Sequence, residues 1–146
     1  VAKSLSSLAT SMRARADRLP TLASDIAREG SEAVLREWLE VMPVDTSEAI
    51  SNTQIGIGSA PSGPLRPHFL GRKGSTAAAS REKSLSVGLA KLDSKKPGVA
   101  IYISNTAPHI GELDRGGSTQ FAGGFVPRAL IMFRVAAQRA AKRLLK

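Results

Sequence analysis

Apolar residues return at helical spacing from the start of the chain. Leu8, Met12 and Leu19 follow Leu5 on one stripe, with Arg13, Arg15 and Arg18 between them on the polar side, which predicts a short amphipathic helix. Pro20 disfavours helical geometry at Leu19 but is tolerated in a first turn, so a second helix is expected to begin there, near Thr21. Its stripe of Leu22, Ile26, Val34, Trp38 and Val41 keeps phase to Met42, and Pro43 ends it. Gly30 weakens the middle of this helix by about 1 kcal/mol relative to alanine. Trp38, on an apolar helical face, reads as a core residue.

After Thr53 the period changes to two. Gln54-Ile55-Gly56-Ile57-Gly58 predicts a short strand whose glycines admit close backbone approach, from a neighbouring strand or another subunit. Residues 59–75 hold three prolines, three glycines and the basic residues Arg66, Arg72 and Lys73, which predicts a long flexible loop. Loops longer than about 12–15 residues tend to be functional or disordered, and this one is expected to be disordered alone and ordered in an assembly. Helical spacing resumes from Thr76 to Leu92 through Ala78, Leu85 and Leu89, and Lys95-Lys96-Pro97-Gly98 supplies a turn. Val99, Ile101 and Ile103 then alternate with Ala100 and Tyr102 as the best strand in the chain. A final helix from Phe125 to Lys146 carries Val126, Leu130, Phe133, Ala137 and Leu144 on one stripe and Arg128, Arg139, Lys142 and Lys146 on another. The order of elements predicts an α+β fold in one domain, 1–146. A small antiparallel sheet is expected to pack against a helical N-terminal arm, residues 1–42, and the C-terminal helix.

Composition changes this picture in one respect. The net charge is +9, and residues 1–42 carry six basic and six acidic side chains, so the whole excess lies in 43–146. A basic surface favours salt-sensitive contact with phosphates or an acidic protein neighbour; a solvated face that keeps the protein soluble is the plainer reading. The complete absence of cysteine excludes disulfides, thiolate catalysis and cysteine-ligated zinc. No apolar run reaches the roughly 18–20 residues of a membrane span, and Val1 to Leu19 lacks the apolar core of a signal peptide, so a soluble, non-secreted chain is expected.

Candidate chemistry is sparse. His68 and His109 lie 41 residues apart in proline-containing loops, without metal-site spacing. Gly56-Ile57-Gly58-Ser59-Ala60-Pro61 lacks the third glycine and the following helix of a dinucleotide fingerprint. Gly71-Arg72-Lys73-Gly74-Ser75-Thr76 has the composition of a phosphate loop, but its lysine precedes the glycine and no strand feeds it; at most it holds an anion loosely. Glu112 and Asp114 have no activated partner in sequence and suit pairing with Arg115 or a neighbouring subunit. No catalytic residue, metal ligand or cofactor site is assigned. The C-terminal helix, with six basic and no acidic residues, could track phosphates, whereas four Phe, one Trp and one Tyr leave little for base stacking.

Three segments carry a resemblance. The first is a long N-terminal helix ending in Pro43-Val44-Asp45-Thr46, followed by Ser47 where glycine is usual. The second is a strand ending at Asn105 and continuing into Ala107-Pro108, an N-x-A-P step followed by His109 where an aromatic is common. The third is Leu113, Gly116, Ser118 and Gln120, an L-x-x-G-x-S-x-Q pattern leading through Gly124-Phe125-Val126 into the last helix. In this order they resemble the head-tail joining proteins of tailed bacteriophages, the neck and tail-completion family related to minor tail protein Z of lambda-like phages. The resemblance implies a structural virion protein, not an enzyme. It implies a homo-oligomeric ring at the head-tail junction, in contact with connector or adaptor and tail tube or terminator proteins, with genomic DNA passing through the lumen. It implies no cofactor and no membrane, with the host cytoplasm as the place of assembly. Within such a ring, Arg66, Arg72 and Lys73 are expected to face DNA. Asp45, Thr46, Asn105, Pro108, Glu112, Asp114, Arg115 and Gln120 are expected at a subunit or partner contact. The alternatives are a stand-alone, sequence-independent DNA-binding protein, suggested by charge alone, and an enzyme with a loop-borne site.

Overall fold

A computed structural model describes residues 4–145 of the chain. Its first element, α1, runs unbroken from Leu5 to Val41. Ser4 starts it by accepting a hydrogen bond from the Ser7 amide on its hydroxyl, 3.2 Å. Pro43 stops it, holding Met42 in an extended conformation. The break expected at Pro20 is absent. Proline removes one amide donor and crowds the carbonyl of Ala16, but both residues are exposed, so water can solvate that carbonyl while the turns on either side continue.

A short helix, α2 (Glu48–Ser51), leads into strand β1 (Thr53–Ile57), and the long loop follows. Helix α3 (Ala77–Asp93), strand β2 (Ile101–Asn105), a one-turn helix α4 (Ile110–Asp114) and helix α5 (Phe125–Leu144) complete the order. Lys146, expected in the last helix, lies outside the described residues. The two strands pair antiparallel with Ile55 opposite Ile103 and Ile57 opposite Ile101. The fold is therefore α+β with a small antiparallel sheet, and α1 and α5 pack along one another.

One core joins these elements. Leu35, Trp38 and Leu39 of α1, with Met42 just beyond its end, meet Ile50, Ile55, Leu92 and Phe125. Trp38 is buried as expected, edge-on to Phe125 at 6.3 Å, with its indole N–H donating to the Phe125 carbonyl at 3.0 Å. The buried face of α3 differs from expectation: Ser80, Ser84, Gly88 and Leu92 face inward, Leu85 and Leu89 are half-buried, and Ala78 is exposed. The cause is distance. A Cβ on Gly88 would run into the Leu35 side chain, so only a small-residue stripe lets α3 approach α1 this closely. Gly30 does the same for α5, since a Cβ there would lie 2.7 Å from the Phe133 ring.

Candidate assembly interface

The first segment of the resemblance, far in sequence from the other two, meets them at one corner of the molecule. The side-chain amide of Gln120 pairs with both main-chain groups of Val44: its Oε1 accepts from the Val44 amide at 2.9 Å and its Nε2 donates to the Val44 carbonyl at 3.1 Å. This fastens the loop before α5 to the segment that leaves α1. Three residues on, Ser47 adopts φ 65°, a left-handed conformation that costs an L-residue roughly 1–2 kcal/mol and that glycine adopts freely. The Ser47 hydroxyl bonds the Thr76 hydroxyl at 2.8 Å.

Asp114 closes the other end of the same loop. Its carboxylate accepts from the Phe125 amide at 2.6 Å, and its carbonyl accepts from the Gly124 amide at 2.9 Å. Gly124, the residue before α5, has φ 80° and no side chain to cap with, so Asp114 supplies the cap and a favourable negative charge at the helix start. Asn105 is equally occupied. Its Nδ2 donates to the Ala49 carbonyl and the Thr53 hydroxyl, and its Oδ1 accepts from the Ala107 amide.

Of the eight residues expected at a contact, Asp45, Asn105, Asp114 and Gln120 thus make bonds within the chain itself. Asp45 accepts from the Lys73 amide on its carboxylate and from the Gly74 amide on its carbonyl. Thr46, Pro108, Glu112 and Arg115 are exposed. Thr46 edges a cleft of about 340 Å³ walled by Pro43–Ala49, His109, Leu113, Gly117, Ser118 and Gln120. There His109 Nδ1 lies 3.6 Å from a Glu48 carboxylate oxygen, while the Ser47 hydroxyl is turned away to Thr76. Among the described residues no three His, Asp or Glu side chains gather to hold a metal ion.

The loop of residues 59–75 carries no helix or strand, and its main chain is tied to the body at several points. Asn52, fully buried, exchanges two bonds with the Leu65 main chain, at 2.6 and 2.9 Å. The His68 amide donates to Ser51 Oγ, and Asp45 holds the turn at Lys73 and Gly74. The loop's own Ser59–Pro61 turn lies over Gly56, so the close approach read from that glycine is made by the chain itself. The side chains of Arg66, Arg72 and Lys73 point from this anchored loop into solvent. Burial, with Lys83 adding charge repulsion, holds His68 below the usual histidine pKa.

Charge is also redistributed by the fold. Arg128 and Arg143 of α5 pair with Glu37 and Glu29 of α1, and Arg28 of α1 pairs with Asp93 of α3 at 3.4 Å. The face of α5 that looked unopposed in sequence is thereby partly neutralised, leaving Arg134, Arg139 and Lys142 exposed. No helix among the described residues is long and apolar enough to cross a membrane. No protein-family model matches the chain, and comparison with curated proteins and with solved structures gives no match.

Proposed function

We propose that this chain is a structural subunit of a tailed-phage head-tail junction, forming a ring that joins tail to connector and lets DNA pass. The observation that carries the reading is the corner built by Gln120, Val44 and Ser47. Residues picked out by resemblance alone perform one mechanical task, clamping the loop before α5 onto the end of α1. The site where the family carries glycine holds a left-handed backbone, the conformation glycine is suited to.

The chemistry of the corner agrees with an assembly part. Gln120 and Asp114 spend their polar groups on main-chain amides and carbonyls, which fixes loop shape, and the exposed residues Thr46, Pro108, Glu112 and Arg115 form a rim available to a neighbour. The ion pairs between α5 and α1 weigh against a stand-alone DNA-binding protein, because they withdraw two arginines from any phosphate track. Electron microscopy of assembled particles with the chain labelled tests the reading: density at the junction is expected, and its absence from particles refutes it. Binding of the isolated chain to duplex DNA in moderate salt tests the alternative. Weak binding is expected, and tight, length-dependent binding would move the assignment to a DNA-binding protein.

A further inference from the structure

Helix α1 extends beyond the body of the subunit. From Ser4 to Thr21 every residue except Ser11 is exposed, and among the described residues Ser24 is the first in α1 to hydrogen-bond a distant part of the chain, accepting from Lys95 in the turn after α3. This arm is nevertheless apolar along one stripe. Leu5, Leu8, Met12, Leu19, Leu22, Ile26, Gly30, Ala33 and Glu37 follow one another in the steps of three or four that keep residues on one helix face, with Arg15 filling the single missing place. At its inner end this is the stripe α5 covers: Phe133 lies against Gly30 and Arg128 pairs with Glu37.

The cover stops before the stripe does. Phe133 stands opposite Gly30 and α5 runs antiparallel to α1, so Leu144, eleven residues on, reaches the level of about residue 19. Leu22 and Ile26 are half-buried, whereas Leu19 is 57% exposed, Met12 62% and Leu5 86%. The chain thus displays what fits this stripe, the flank of an α5 helix. Part of that flank is left over: Val126 and Leu130 are 55% and 66% exposed at the same spacing, and Phe133, which lies against Gly30 on one side, keeps 36% of its surface exposed.

From this continuity we infer that the arm of one subunit docks on the free α5 flank of a second copy, Leu5, Leu8, Met12 and Leu19 packing against Val126, Leu130 and Phe133. The inference rests on the ring reading and names its contact. The two surfaces are different parts of one chain, so each copy gives an arm and receives one, a head-to-tail contact that closes into a ring when the rotation allows. Arg13, Arg15 and Arg18 of the arm meet Arg134 beside the flank, so like charges oppose the contact and apolar burial holds it.

Because the chain has no cysteine, the contact can be trapped directly. Leu8 lies roughly 33 Å along α1 from the level of Gly30, too far to reach Leu130 of its own chain. A Leu8→Cys/Leu130→Cys variant under mild oxidation is expected to give a ladder of linked chains, and either single variant none. Raising salt from about 0.05 to about 0.5 M is expected to strengthen the ladder, and Met12→Glu to weaken self-association by about tenfold or more. Circular dichroism of Met12→Glu checks that the body stays folded. An intact chain that remains monomeric at high concentration overturns the inference, as does a Leu8→Cys/Leu19→Cys variant that gives dimers only, the sign of arm-to-arm pairing. Rings formed without residues 4–19 overturn it while leaving the ring reading intact, and the junction reading itself stands or falls on the location of the chain in particles.

Discussion

Asn52 shows how much one buried side chain can fix. Its amide donates to the Glu48 and Leu65 carbonyls and accepts from the Leu65 amide and the Thr106 hydroxyl, so one residue ties α2, the long loop and the end of β2. Replacement by alanine orphans the main chain of Leu65, and Asn52→Ala is expected to cost about 3 kcal/mol in chemical denaturation, with the loop becoming the first site of proteolysis. His68 gives the loop a dependence on pH. Its folded pKa is lowered, so the unfolded chain binds the proton more readily; stability is complete above pH 6.5 and declines as pH falls from there through the folded value. Denaturation midpoints between pH 7.5 and pH 5 are expected to drop, and a His68→Gln variant to lose that part of the drop. Asn52 did not stand out in the sequence, and His68 did so only as a metal ligand set aside, because their partners lie far away along the chain and no local pattern announces them. Gln120 and Asp114 did stand out, through resemblance, but the resemblance gave no sign that one clamps a loop and the other caps a helix within the chain.

Among the elements, the bounds of α3, α5 and both strands were legible within two residues from apolar periodicity, but the stripes read on the two helices are not their buried faces: Val126 and Leu130 of α5 are exposed, and α3 turns Ser80, Ser84 and Gly88 inward. What periodicity could not reach was contact distance. The Ser80, Ser84, Gly88 stripe reads as polar, yet it is what lets α3 lie against Leu35. The two helix glycines therefore differ in consequence. Gly88→Ala presses on the fully buried Leu35 and is expected to destabilise by about 1–3 kcal/mol despite its gain of about 1 kcal/mol in helix propensity. Gly30→Ala meets the Phe133 ring, which is partly exposed and can swing aside, so that gain should roughly cancel the strain. Thermal melts of the two variants side by side check the contrast. α2 and α4 are too short to carry a period and were invisible in sequence.

For the whole molecule, the sequence located the basic excess after residue 42 but not its pairing, since Glu29 and Glu37 reach α5 only in the fold. The loop triad keeps its charge in solvent. If Arg66, Arg72 and Lys73 line a lumen, replacing all three with Glu should leave the subunit folded and impair joining or DNA passage; particles of normal infectivity would remove the triad from that role. The proline in α1 has a further consequence at this scale. Pro20 takes one bond out of the helical ladder at about the level where α5 ends, so the turns on its two sides are coupled weakly. The arm's coil transition is then separable from global unfolding. A heated solution of unassembled chains should lose the ellipticity of about fifteen helical residues in a broad early phase, before the cooperative melt of the body, and that early phase should vanish once subunits are joined.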